Sequence, residues 1–567
     1  MLCILHPASA QDASLDNHDS DRVRGIVVNK VTHQPIPRAL VYSMDNRLAM
    51  LTDGEGRFEF SVPKPDESAS QGGSVGTITS GRMTTYFQSF GTSEVFAARK
   101  PGFLQDPDDM HQWPQEHSTD ITFSLVPEAI IRGRVLVTNG EPAVGMNVQL
   151  FMLQVQDGMP RWAPSYMTRT NSLGEFRFAE LNAGAYRVMT QELLDTDPET
   201  AAPRGQQYGF PPVCFPGVPD FASGSTIQLT AGQRFQADIP LARQPYFPVN
   251  IPVVNAASIP GMNVSVSAQA HPGPGYSLGY NAGTHRIQGL LPTGHYLVEG
   301  HTYGQVESSG EVSIAITAAG FQQPTMVLVT SIQIPVNVRE EFTSNDWQSS
   351  SSWSDGKHTY QLHGPQTYLQ IVLEPVEEFS ERGMRGVRPP RPNDDSLVIE
   401  NVPPGRYWLR IQSARGYAQS ASSGNIDLLH EPLVVSSGSQ APIEITMRDD
   451  AAEIEGTVEG VTAAGQRGAY STDVEAARSQ GPSAYIYCVP LPDGGGQFAQ
   501  RFALADGSFA SLILAPGAYR VLAFARPQPN LPYRDPQAMR AYESQGQVVH
   551  LVAGQKEHLQ LQLSSGE

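Results

Sequence analysis

The chain has 567 residues, among them 52 Gly and 45 Pro, and 40% of it is hydrophobic. That is too long for one core, too apolar for a disordered chain and too rich in turn residues for a helical one. A formal charge of −19 leaves no basic footprint for nucleic acid or anionic lipid, and no apolar run is long enough for a membrane-spanning helix.

From the N-terminus, "MLCILHPASAQD" places Ala8-Ser9-Ala10 before Gln11, the small-residue pattern of a signal-peptidase site, behind an apolar stretch at Leu2 to Leu5. The charged leading segment is missing. Residues 1–21 are therefore expected to be a remnant export signal and a disordered tail, and the chain is expected to be secreted, periplasmic or at the cell surface. Cleavage there leaves Cys214 and Cys488 in different repeats, so no structural disulfide is expected. Asp16, Asp19 and Asp21 form a D-x-x-D-x-D string. It lacks the glycine and terminal Glu of a defined calcium loop and reads as a solvated tail.

The remainder is repetitive. A first strand reads "VRGIV" from Val23, "IRGRV" from Ile131 and "IEGTV" from Ile454. A turn into a second strand follows, "TDGEGRF" (52–58) aligning without gaps to "TNSLGEF" (170–176). Asp or Asn starts such a turn and Gly56 or Gly174 ends it, after which Phe58 and Phe60, or Phe176 and Phe178, alternate onto one face. Next come "LNAGAYRV" at 181, "LPTGHYLV" at 291, "NVPPGRYWL" at 401 and "LAPGAYRV" at 514. Their tyrosines, Tyr186, Tyr296, Tyr407 and Tyr519, lie 110, 111 and 112 residues apart. Gly184, Gly294, Gly405 and Gly517 reverse the chain, and each ring supplies apolar area to a core. Each copy closes with a glycine nine residues before a strand residue: Gly232 and Leu241, Gly320 and Val329, Gly438 and Met447, Gly554 and Leu563.

A unit of this size with short alternating strands suits an Ig-like sandwich. The predicted fold is all-β, a tandem array of about five Ig-like or transthyretin-like β-sandwiches over 22–127, 128–243, 244–330, 331–449 and 450–567. The first unit departs from the pattern, with a polar loop at 61–76 where the Tyr strand is expected, before "VFAARKPGF" (95–103) and "DITFSLV" (120–126). The third and fourth lack the x-R-G-x-V opening and must start from "FPVNIPV" (247–253) and "SIQIPVNV" (331–338).

Residues 23–60 and 130–188 resemble the carboxypeptidase regulatory-like domain, a transthyretin-like sandwich that also resembles starch-binding modules; 450–567 resembles it through its opening strand and P-x-G-x-Y turn. The resemblance implies a non-catalytic secreted or envelope domain, sometimes linked to carbohydrate binding, and specifies no ligand.

The residues themselves offer little chemistry. None of the 14 histidines starts an H-x-x-E, and Pro432 follows His430-Glu431, so no zinc site and no cofactor are expected. "GYSLG" (275–279) fits G-x-S-x-G around Ser277 but sits in a Gly/Pro loop with no helix to follow, so a hairpin loop is expected. Arg382, Arg385, Arg388 and Arg391 read as an extended exposed loop. Carbohydrate binding needs exposed rings. Trp347 and Trp353, in the polar stretch 345–360, are the candidate platform, and Trp408 faces opposite to Tyr407 at an outward or interface position.

The leading expectation is a non-enzymatic binding, adhesion or spacer scaffold whose partner is a polysaccharide or an envelope protein. A carbohydrate-binding accessory protein and an enzyme with an unrecognised site are the alternatives.

Overall fold

A computed structural model describes residues 20–43, 48–63, 74–80, 83–89, 96–106, 120–195, 205–255, 261–269, 273–302, 307–318, 320–321, 324–343, 348–354, 359–363, 369–376, 384–387, 397–413, 415–436, 440–461, 484–491, 496–504 and 506–564. Among them the regular structure is strand, apart from a short 3-10 turn at Ala538–Tyr542. The protein is an all-β array of sandwiches. Its contacts group into two compact units, Met1–Ile130 with Ala179–Ala183 and Leu229–Arg234, and the remainder.

One wiring recurs five times. An opening strand pairs in parallel with the closing strand of the same sandwich. The pairs are Ser20–Asn29 with Asp120–Pro127, Ala129–Val137 with Ile239–Leu241, Gln244–Val254 with Met326–Val327, Ile332–Glu341 with Ile443–Arg448, and Ala452–Glu459 with Lys556–Gln562. In all five the opening strand is also hydrogen-bonded to the strand that precedes the Pro/Gly turn or its counterpart, with antiparallel register in the first, third, fourth and fifth. "FPVNIPV" and "SIQIPVNV" lie in the opening strands Gln244–Val254 and Ile332–Glu341, in place of the missing x-R-G-x-V.

The x-R-G-x-V glycine has a packing cause that spacing alone did not reveal. A Cβ on Gly25 would lie 1.9 Å from the Ile121 carbonyl oxygen, one on Gly133 would lie 2.0 Å from that of Ala237, and one on Gly456 would lie 1.9 Å from that of Leu559. The closing strand, or in the second sandwich the residue two before it, approaches so near that a side chain has no room. The rings of Phe58 and Phe176 cover Gly25 and Gly133 from the other side, at 2.7 and 2.9 Å from the same Cβ positions.

The turns behave as their residues require. Asp53 Oδ1 accepts the Glu55 and Arg57 amides at 2.8 Å each, and Asn171 Oδ1 accepts those of Leu173 and Glu175 at 2.9 Å each. The fifth sandwich repeats the device in "ADGSF" (505–509), where Asp506 Oδ1 accepts the Ser508 amide at 2.9 Å.

The second sheet of the second to fifth sandwiches carries the tyrosine strand, Gly184–Thr190, Gly294–Thr302, Gly405–Ser413 or Gly517–Phe524, antiparallel to its neighbour. The rings are buried, and their hydroxyls do more than fill space. Tyr296 donates to the Pro292 carbonyl at 3.1 Å, Tyr407 to Pro403 at 2.9 Å and Tyr519 to Ala515 at 2.7 Å, always four residues upstream. Each hydroxyl ties the turn to its strand as a tyrosine corner does. The turn glycine makes room: a Cβ on Gly294 or Gly405 would meet its own tyrosine hydroxyl at 3.1 or 3.2 Å.

In the first sandwich Phe96–Arg99 pairs with Leu40–Ser43 and fills the tyrosine strand's place, with Phe96 buried and stacked on Phe60 at 5.1 Å. The expected polar loop at 61–76 is partly strand. Arg57–Pro63 runs into it, and Ser74–Ser80 pairs with Met83–Ser89 as a two-stranded ribbon. Gly320 lies in the short strand Gly320–Phe321. The sheet opened by Gln244–Val254 also recruits Gln207–Phe210 and Leu193–Leu194 from upstream of residue 244.

Candidate functional site

Ser277 lies in the loop before the strand Gly279–Asn281. Its Oγ donates to Glu192 Oε1 at 2.6 Å and its amide to the same oxygen at 2.7 Å, while the Glu192 amide donates to the Gly275 carbonyl at 3.0 Å. Burial pushes the Glu192 carboxyl upward, and the two Ser277 hydrogen bonds oppose that. A nucleophile elbow needs a helix behind the serine and a base to take its proton. Here a strand follows, and the hydroxyl fastens its own loop. Tyr276 packs edge-on against Tyr296 at 5.3 Å beside it, and burial raises the Tyr276 hydroxyl to about 12.

Cys214 and Cys488 are buried free thiols, each raised to about 12 chiefly by burial, which removes nucleophilic character. His430 Nδ1 lies 2.8 Å from Asp427 Oδ2. Among the described residues no three His, Cys, Asp or Glu side chains converge as a metal site.

Of the candidate sugar platform, Trp347 lies outside the described residues. Trp353 belongs to the strand Gln348–Ser354 and stands opposite Tyr360 in its pairing with Thr359–His363. Asp16, Asp19, Arg382, Arg388 and Arg391 also lie outside the described residues, and Arg385 pairs with Val372 through the backbone.

Trp408 is half-buried, opposite Glu374 in register, with the Arg534 guanidinium 5.6 Å from its ring centroid. The residues that follow the tyrosine in the second and fifth sandwiches are covered too. Arg187 stacks 4.4 Å from the Trp162 centroid and 5.2 Å from that of Phe221, and its Nη1 donates to the Phe221 carbonyl at 2.9 Å. Arg520 Nη1 donates to the Glu543 and Gln545 carbonyls at 2.6 and 3.1 Å. Segments inserted after the tyrosine strand supply this cover. In the second sandwich they help to build a separate cluster of Phe151, Trp162, Met189, Cys214 and Phe221. The signal was in the spacing: tyrosine to closing glycine spans 46 residues from Tyr186 and 35 from Tyr519, against 24 from Tyr296.

Beside Trp408 three sandwiches meet. Asp157 and Gly158 form the two-residue turn between Asn147–Gln156 and Met159–Arg169 of the second sandwich. Tyr533 of the fifth donates its hydroxyl to Asp157 Oδ1 at 2.5 Å, and Arg534 forms an ion pair with Asp157. Glu374 of the fourth pairs with Arg410 at 3.1 Å, and burial together with the neighbouring Asp157 raises its carboxyl to about 7.

No known family description matches the chain, and no curated protein does. Solved structures that it is similar to include the Bacillus anthracis TIE protein, at 11% identity over 76% of this chain and 68% of that one, with a TM-score of 0.15. Another is BcpA, the major pilin subunit of Bacillus cereus, at 10% identity over 57% and 99%, with a TM-score of 0.14. Two B repeat units of the collagen binding protein of Staphylococcus aureus match at 11% identity over 76% and 100%, with a TM-score of 0.13. TM-scores this low carry no argument about what this chain binds or builds.

Proposed function

We infer that the protein is a non-catalytic scaffold of the secreted or cell-envelope kind, as the carboxypeptidase regulatory-like resemblance implies, whose repeated sandwiches hold binding surfaces at set spacing. One observation carries the reading: the residues that recur between sandwiches are spent on the fold. The opening glycines admit the closing strand, the Asp and Asn side chains close turns, and three of the tyrosine hydroxyls tie corners. What differs between copies is the inserted segments, so recognition belongs to them. Repeated weak sites held in this way gain avidity.

The purified chain is expected to bind isolated cell envelopes and to hydrolyse peptide, ester and glycoside panels no faster than buffer. Ser277→Ala is expected to change neither result. Hydrolysis that disappears in Ser277→Ala would overturn the reading.

Polysaccharide recognition is the second reading, favoured by the register that sets Trp353 opposite Tyr360. A glycan array compared with the Trp347→Ala/Trp353→Ala double variant tests it. About thirtyfold weaker binding is expected if these rings form the platform, since each of the two ring-face contacts is worth roughly 1 kcal/mol. Unchanged glycan binding removes the platform.

A further inference from the structure

A hairpin tip is normally a solvent-exposed feature. The Asp157-Gly158 tip is not: Gly158 is buried and the Asp157 side chain is only 9% exposed. The turn is of the two-residue kind with positive φ at both positions, 48° and 77°, for which Asp-Gly is a preferred sequence. Its cover is a segment of the fifth sandwich, inserted between the strands Gly517–Phe524 and Gln547–Leu551. That segment is fastened to its own sandwich on both sides of Tyr533 and Arg534. Leu531 is buried with Tyr487, Val489, Leu522 and Phe524, and the Gln528 amide donates to the Tyr487 hydroxyl at 2.7 Å. Asp535 Oδ1 accepts the Gln537 and Ala538 amides at 2.9 and 3.1 Å.

Between these anchors the two residues meet the tip. The Tyr533 ring lies against Gly158, where a Cβ would sit 2.8 Å from three ring atoms, and stacks on Phe498 at 3.8 Å between centroids. The Tyr533 hydroxyl donates to Asp157 Oδ1 at 2.5 Å, the Arg534 amide donates to the Gly158 carbonyl at 3.0 Å, and the Arg534 guanidinium pairs with the Asp157 carboxylate. The fourth sandwich is held at the same place. Its Trp408 ring centroid lies 5.6 Å from that guanidinium, and its Pro375 carbonyl accepts from Arg161 Nη2, just past the tip, at 2.5 Å. Both the hairpin and the inserted segment are ordered within their own sandwiches, so docking them orders little further chain.

We propose that this contact is a clasp: Tyr533 and Arg534 of the fifth sandwich grip the Asp157-Gly158 tip of the second, beside the fourth, and close these sandwiches into a circuit. The grip joins residues 376 positions apart, so the third and fourth sandwiches lie within the closed loop of chain. Surfaces on the second, fourth and fifth sandwiches then keep positions set by the clasp rather than by linker length, and a change on one side of it is felt on the other.

Hydrogen exchange in the full chain reads the clasp from both sides. Asp157→Asn keeps a favoured turn sequence and removes the charge that Arg534 meets, while Arg534→Ala removes the guanidinium and keeps the amide. Each is expected to lower protection about tenfold on the opposite sandwich, Asp157→Asn at 528–545 and Arg534→Ala at 156–159, while the core amides of Val135 and Val458 hold theirs. The double variant is expected to lose no more than the larger single loss, because both changes remove one interaction. Native protection is expected to be unchanged on dilution. Losses confined to the mutated sandwich in both single variants, additive losses in the double variant, or native protection that falls on dilution, the mark of a contact between two copies, would overturn the proposal.

Discussion

Gly25→Ala is expected to cost the first sandwich about 3 kcal/mol or more, enough to melt it ahead of the rest. The new methyl would stand 1.9 Å from the Ile121 carbonyl oxygen and 2.7 Å from the Phe58 ring. The ring can turn, but the carbonyl is backbone in a paired strand. Relief therefore means prising apart the parallel pairing of Gly25 with Ile121, on which the sheet closes. Gly54→Ala is the control, since nothing lies within 4 Å of its Cβ position, and it is expected to stay within about half a kcal/mol. Urea unfolding followed by hydrogen exchange across 20–127 separates the two. Gly133 and Gly456 meet the same obstacle at Ala237 and Leu559, so the effect is expected in each sandwich with that opening. Equal stability of Gly25→Ala and Gly54→Ala would show that the close approach is not structural.

The second large effect is at the tyrosine corner. Tyr519 is fully buried among Ile454, Ile486, Val521 and Leu551, and its hydroxyl donates to the Ala515 carbonyl at 2.7 Å. Tyr519→Ala removes a whole ring and leaves a cavity, at an expected cost of about 3–5 kcal/mol to the fifth sandwich. Tyr519→Phe keeps the ring and drops one bond, leaving a buried carbonyl short of its donor, at about 1–2 kcal/mol. The gap between the variants divides ring packing from corner tying. A Phe variant as stable as the native chain would leave the hydroxyl without a structural part.

The tyrosine corner shows how far the sequence could be read. The 110-residue recurrence and the Pro/Gly turn located the strand and its buried face, because alternation and turn chemistry are local. The hydroxyl's partner lies four residues upstream across a turn, and a pattern of residue types does not fix that geometry. The glycines of "VRGIV" and "IRGRV" were legible as recurrence, but their cause is a strand about a hundred residues away. In the first sandwich the long segment between Pro63 and Phe96 hid the counterpart of the tyrosine strand, because phenylalanine replaces the marker residue. The candidate site was less legible still. Trp408 was placed at an outward or interface position by alternation, yet its neighbour Arg534 comes from another sandwich. Nothing in "DG" at 157–158 announces that this turn is buried.

One wiring repeats in sandwiches that share little sequence, and the fourth, which lacks the x-R-G-x-V opening, tests it hardest. There the parallel register sets Asn337 beside Glu444, with the Asn337 amide donating to the Glu444 carboxylate at 2.7 Å. Paired cysteines at those two positions, Asn337→Cys with Glu444→Cys, are predicted to cross-link within the chain on mild oxidation. Asn337→Cys with Arg448→Cys, about 13 Å apart along the strand, is predicted to stay reduced. The reverse outcome, bridging at 448 and none at 444, would mean that the strands run antiparallel and would contradict the shared wiring.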